Sequence, residues 1–127
     1  MSTFPVCEDV LDRSVELYQI PDISKALRVP ITRVHQMLRD RLLLAVRRDS
    51  VVGVPAIFLE FDFEPGRNRI LRWVPGLLAV LHDGGYSGEE TLTWLFTEDD
   101  SLPGTPAEAL RGHLAREVIR RAQALAF

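Results

Sequence analysis

Cysteine is nearly absent from this chain: Cys7 stands alone among 127 residues. A single thiol closes no internal disulfide and seeds no cysteine-rich zinc site, and a reducing cytoplasm suits it. Long apolar runs are missing too. Charge or proline interrupts every such stretch well short of the ~20 residues that a membrane helix needs. The opening MSTFPVCEDVLD has no basic segment followed by an apolar one, so no signal peptide is expected. Histidine is scarce as well. His35, His82 and His113 lie far apart without metal-ligand spacing, so neither a metal nor another cofactor is expected. Repeats and low-complexity segments are also lacking. With 46% hydrophobic and 26% charged residues, the composition is that of an ordinary soluble domain, or of two small lobes sharing a core.

What the chain does have is a local block of positive charge. Seven basic residues (Lys25, Arg28, Arg33, Arg39, Arg41, Arg47, Arg48) lie between Ile23 and Arg48, against Asp40 alone, in a protein whose net charge is -3. Residues 73–127 carry four arginines against eight acidic residues, so a second basic face there is not expected. A concentrated cationic patch on a helix that fits a groove is what a polyanionic duplex attracts.

The same stretch reads as two helices and a hairpin. Pro21 and Asp22 open a helix over 22–27 that buries Ile23, Ala26 and Leu27. Pro30 disfavours helix at Val29 and forces a break. A second helix over 31–40 carries Ile31, Val34 and Leu38 at i, i+3, i+7. Residues 42–48 then run extended, Asp49-Ser50 makes a turn, and 51–59 return as a strand interrupted by Gly53 and Pro55. Before the helices, Val15, Leu17 and Ile20 alternate as a short strand should. The expected fold class is mainly α (α+β), a winged helix–turn–helix followed by a C-terminal helical subdomain. Its expected divisions are a flexible N-terminus over 1–14, the winged unit over 15–62 and the helical unit over 63–127. In the last, a loop over 60–72 with a Pro65-Gly66 turn precedes an apolar helix over 77–82 ended by Gly84-Gly85. Ser87 with Glu90, and Thr105 with Glu108, have capping-box spacing.

On this plan Thr32, Arg33, Gln36 and Arg39 lie where a recognition helix meets base edges in the major groove. Arginine pairs with guanine and glutamine with adenine, each good pair contributing roughly 1–3 kcal/mol of discrimination. Lys25, Arg28 and Arg41 are placed for phosphates, and Arg47 and Arg48 for the backbone or minor groove beside the wing turn. Arg41 falls where the chain after a recognition helix turns left-handed, at a cost of about 1–2 kcal/mol.

The segment RVPITRVHQMLRDRLLLAVRR resembles the reading head of MerR and excisionase-like winged helix–turn–helix proteins. Together with VPGLLAVLHDGGYSGEETLTWLF and the ending AREVIRRAQALAF, it resembles an actinobacterial family of small DNA-binding proteins with a helical C-terminal domain. The likeness runs from about Tyr18 to Phe127, and LHDGGY and WLF are its most specific parts. It implies binding to double-stranded DNA through Thr32, Arg33, Gln36, Arg39, Arg47 and Arg48, as a transcriptional regulator or nucleoid-associated factor in the cytoplasm. Two departures bear on the wing: Arg41 stands where glycine is usual, and Asp49-Ser50 replaces a glycine-rich tip. The stretch TPAEALRGHLAREVIRRAQAL is also similar to the partner-binding end of Xre-type antitoxins, which implies a protein partner for the C-terminal helices. No heptad seam forces a dimer, so monomer and homodimer both remain open.

No enzyme is expected. His82-Asp83 lacks a matched nucleophile, and Gly84-Gly85 lacks the spacing and lysine of a phosphate loop. Trp73, Trp94 and Phe96 are expected in the core rather than on a single-strand stacking platform.

Overall fold

The computed structural model describes residues 3–61 and 68–126. Two short strands lead in, β1 (Cys7–Glu8) and β2 (Leu17–Gln19). Helices α1 (Ile20–Leu27) and α2 (Ile31–Arg39) follow, and strands β3 (Val46–Arg48) and β4 (Val51–Pro55) form the wing. A 3-10 turn over Ala56–Phe58 and a two-stranded ladder, β5 (Leu59–Glu60) with β6 (Arg69–Ile70), connect to α3 (Val74–Asp83). Then come α4 (Gly88–Leu95), α5 (Pro106–Ala109) and α6 (Ala115–Leu125). This is a winged helix–turn–helix with a C-terminal helical region, in the α+β class.

The wing sheet has the order β1-β3-β4-β2. β3 and β4 pair antiparallel with Arg48 opposite Val51, and β2 pairs antiparallel with β4, Leu17 opposite Pro55. Gly53 is required here: a Cβ on it would fall 2.9 Å from the Leu17 Cβ. The returning strand stops at Pro55, earlier than the expected Leu59. A proline has no N–H to continue a ladder, so the chain coils into the 3-10 turn instead. The expected loop over 60–72 contains part of a hairpin, because Leu59 and Glu60 pair with Ile70 and Arg69. The expected Pro65-Gly66 turn lies outside the described residues.

The N-terminal stretch differs most from expectation. Residues 1–14 read as loose because they are polar, yet β1 adds to the wing sheet in parallel, Cys7 opposite Val46 and Glu8 opposite Arg47. Cys7 and Leu11 are buried. Two apolar side chains anchor the segment, one on the sheet and one in the core, where no periodicity advertises them. Gly88 of α4 approaches β1 so closely that an added Cβ would sit 2.5 Å from the Cys7 Sγ, and the Glu8 N–H donates to the Glu89 Oε2 at 3.0 Å. This segment thereby joins the wing to the C-terminal helices. Burial pushes the Cys7 thiol up to about 11, with Glu89 adding to the effect.

One apolar cluster runs through both halves. It takes in Ile23, Val34, Leu38, Val46 and Val54 from the winged part, and Phe58, Leu77, Leu81, Leu92, Leu95 and Val118 beyond it. α3 begins at Val74, with Pro75 in its first turn, and ends through Gly85 at φ 91. The Tyr86 N–H donates to the Leu81 carbonyl at 2.9 Å, closing the helix end. Both capping boxes are formed. The Ser87 and Glu90 side chains each accept the other's backbone N–H at 3.0 Å, and Thr105 and Glu108 do likewise at 3.2 and 3.4 Å. Trp73, Trp94 and Phe96 pack partly buried against the core.

Candidate nucleic-acid interface

The helix–turn–helix is cut by a left-handed arginine. Arg28 adopts φ 57, ψ 45 after α1, and the Val29 N–H reaches back to the Ser24 carbonyl at 3.1 Å. Pro30 then caps α2 with extended backbone. The end of α2 repeats the device: Arg41 has φ 57, and the Leu42 N–H donates to the Met37 carbonyl at 2.9 Å. Both positions favour glycine on steric grounds, and both hold an exposed arginine.

α2 buries Val34, Met37 and Leu38. Thr32, Gln36 and Arg39, at i, i+4 and i+7, form the opposite stripe, with Arg33 on its flank. Thr32 and Arg33 are exposed, and Gln36 and Arg39 half-buried. Ile31 was expected inside; it is 45% exposed because it stands at the first position of the helix, where no element covers it. The Gln36 amide is held from both ends: the Arg39 Nη2 donates to its Oε1 at 2.7 Å, and its Nε2 donates to the Asp40 Oδ1 at 2.9 Å. Phe4 stacks on His35 with centroids 4.7 Å apart, and the Thr3 carbonyl accepts from the Arg39 Nη1 at 3.5 Å. The N-terminal segment therefore lies along one border of the helix.

Lys25 and Arg28 are exposed around the end of α1, Arg41 follows α2, and Arg47 projects from β3. Among the described residues, no ion pair engages Lys25, Arg28, Arg33, Arg41 or Arg47. In the C-terminal lobe Arg120 pairs with Glu117, and Arg121 with both Glu117 and Asp99, while Arg111 and Arg116 stand exposed without an ion pair among the described residues.

Arg48 corrects the sequence reading, which put it on the surface beside Arg47. Alternation along β3 turns the two side chains to opposite faces, and only Arg47 points to solvent. Arg48 keeps 14% of its side chain exposed. Its Nε and Nη2 grip the two Asp9 carboxylate oxygens at 2.6 and 3.2 Å, and its Nη1 and Nη2 donate to the Val15 and Asp12 carbonyls at 2.8 and 3.2 Å. The guanidinium thus spends four of its five N–H donors within the protein and holds residues 9–15 under the wing. Hydrogen bonding from Arg48 keeps the Asp9 carboxyl below its ordinary value despite partial burial.

The wing turn itself uses two left-handed residues, Asp49 at φ 50 and Ser50 at φ 67, the pattern of a type I′ hairpin built without glycine. Arg13 reaches this tip, where its Nη1 and Nη2 donate to the two Asp49 oxygens at 2.6 and 2.9 Å. Sequence reasoning left Arg13 in a loose tail, since nothing in its spacing relates it to residue 49.

Two family matches divide the chain. Residues 3–59 match the family described as "DNA-binding protein Rv2175c, wHTH domain", and residues 71–126 match "Rv2175c C-terminal domain of unknown function". The chain belongs to the Rv2175c family. A relative named DNA-binding protein Rv2175c, from Mycobacterium tuberculosis (strain ATCC 25618 / H37Rv), is 40% identical over 139 residues, spanning all of this chain and 92% of that protein. The solved NMR structure of Rv2175c superposes with a TM-score of 0.85 at 40% identity, covering 98% of this chain and 90% of that one. The first Rv2175c match includes the N-terminal segment from Thr3, in keeping with its place in the wing sheet. The LHDGGY and WLF segments fall within the second.

Among the described residues no cluster of three His, Cys, Asp or Glu side chains converges as a metal site would need, and no helix is long and apolar enough to cross a membrane.

Proposed function

We propose that this Rv2175c-family chain binds double-stranded DNA, with α2 in the major groove and the wing along the adjoining backbone. The observation that carries this is the set of exposed cations without carboxylate partners, Lys25, Arg28, Arg33, Arg41 and Arg47, on a winged helix–turn–helix of an otherwise acidic protein. Such side chains lose no internal ion pair when they meet phosphate, and each releases a condensed counterion on doing so. Thr32, Arg33, Gln36 and Arg39 read base edges, with the Gln36 amide turned over from Arg39 and Asp40 to an adenine. Ile31 adds an apolar surface at the helix start that suits a thymine methyl. Lys25, Arg28, Arg41 and Arg47 hold the backbone and set the register. Arg48 holds the wing and does not touch DNA. The relative's printed name, a DNA-binding protein, supports the same reading. The role that follows is a transcriptional regulator or a nucleoid-associated factor in the cytoplasm, acting as a monomer on one site or as a pair on two half-sites.

The test is the salt dependence of duplex affinity. Neutralising four to six phosphates gives a slope of log affinity on log salt of roughly -4 to -5. Arg33→Ala changes base preference in a selection from random duplexes, whereas Arg28→Gln weakens every sequence alike. A slope near zero for the wild-type chain would end this reading, and equal loss on all sequences for both variants would end the division of labour.

A further inference from the structure

We propose that Arg13, which lies outside the helix–turn–helix, is a phosphate ligand of the wing, and that Asp49 occupies it in the absence of DNA as an internal stand-in for phosphate. This rests on the duplex-binding reading above and extends it to a residue that reading does not include.

The tip of the wing is an awkward place for a carboxylate. Asp49 and Ser50 form the turn, and an uncompensated anion there repels the backbone that a wing approaches. Arg13 neutralises it with two parallel hydrogen bonds, at 2.6 and 2.9 Å, in the fork geometry that guanidinium offers to carboxylate and phosphate alike. The Asp49 carboxyl is held below its ordinary value by these bonds. Yet the pair stands in solvent, with 73% and 67% of the two side chains exposed. An ion pair so placed contributes little to folding. Its fork can therefore be exchanged for a phosphodiester with little loss.

Arg13 is not a side chain on a swinging tail. The Arg48 guanidinium clamps Asp9, Asp12 and Val15 on either side of it. The Asp12 turn is closed by the Ser14 N–H on the Asp12 Oδ1 at 2.9 Å and by the Val15 N–H on the Asp12 carbonyl at 3.0 Å. The backbone at residue 13 is thereby fixed beside the tip, so any surface that the tip meets also meets this guanidinium. Arg47, exposed on β3, supplies a second cation nearby in the chain.

Fluorescence anisotropy of a labelled mixed-sequence duplex, over a potassium chloride series, tests the assignment. Arg13→Gln lowers affinity roughly 8-fold at 0.1 M salt and makes the salt slope shallower by about 0.9, the loss of one counterion-releasing contact. Arg13→Lys keeps the wild-type slope, because the charge remains. Asp49→Asn raises affinity, because it frees the guanidinium and removes the competing anion. An Arg13→Gln slope equal to wild type overturns the proposal. So does a loss of affinity in Asp49→Asn matching that of Arg13→Gln, since a pair that merely holds the turn fails in the same direction from either side. A wild-type slope near zero overturns duplex binding itself, whereas a steep slope untouched by Arg13→Gln removes only this residue from it.

Discussion

Replacing Arg48 by glutamine tests whether the wing is held by the N-terminal segment. The substitution removes a guanidinium that donates four hydrogen bonds, two to Asp9 and one each to the Val15 and Asp12 carbonyls, and it leaves the Asp9 carboxylate largely covered. Breaking a fully buried pair costs about 3–5 kcal/mol, while an exposed one contributes about 0–1 kcal/mol. With side-chain exposures of 14% and 19%, this pair lies between those limits, and a loss of about 2 kcal/mol is expected. In a protein of this size that corresponds to a fall in Tm of roughly 6–10 °C. Circular dichroism melts at neutral pH measure it, with urea titration as a check. Asp9→Asn produces a smaller loss, and the double variant is less destabilised than the sum of the two, since both remove the same interaction. The pH dependence has a definite sign. Hydrogen bonding from Arg48 lowers the folded-state value of Asp9 below the ordinary 3.8. The stabilisation is therefore complete above about pH 4 and is lost as pH falls through the lowered value. The gap between wild type and Arg48→Gln thus narrows below pH 4. A Tm within about 1 °C of wild type at pH 7 would refute the clamp, and so would a gap unchanged down to pH 2.

Two further predictions concern other parts of the fold. Arg28→Gly relieves a left-handed conformation costing about 1–2 kcal/mol but adds the backbone entropy of glycine, for a net gain in stability of about 0.5–1 kcal/mol. The same variant binds duplex DNA roughly 8-fold more weakly at 0.1 M salt if its cation meets a phosphate; a destabilised variant would show that the site tolerates arginine without strain. Cys7, buried and raised to about 11, stays unreactive toward a thiol reagent at pH 8 until urea unfolds the chain; rapid labelling of the native protein would contradict its place against α4.

Sequence alone determined the elements whose signals are local. Pro30 and the periodicity of Val34 and Leu38 marked the break and the second helix. Ser87 with Glu90 and Thr105 with Glu108 marked two helix starts, and charge counting found the basic block. These features depend on residues within a turn or two of one another, where backbone sterics and capping act directly. Only the tertiary structure decided how distant segments share a site. Arg47 and Arg48 look alike in the chain, and pairing of β3 against β1 and β4 sends one outward and the other onto Asp9, 39 residues away. The same pairing turns a polar N-terminus into a strand and brings Arg13 to a turn 36 residues distant. Such contacts carry no local periodicity. They form because one apolar cluster, from Cys7 to Ala122, closes over both halves at once, and that closure fixes which cations are held inside the protein and which are left to solvent.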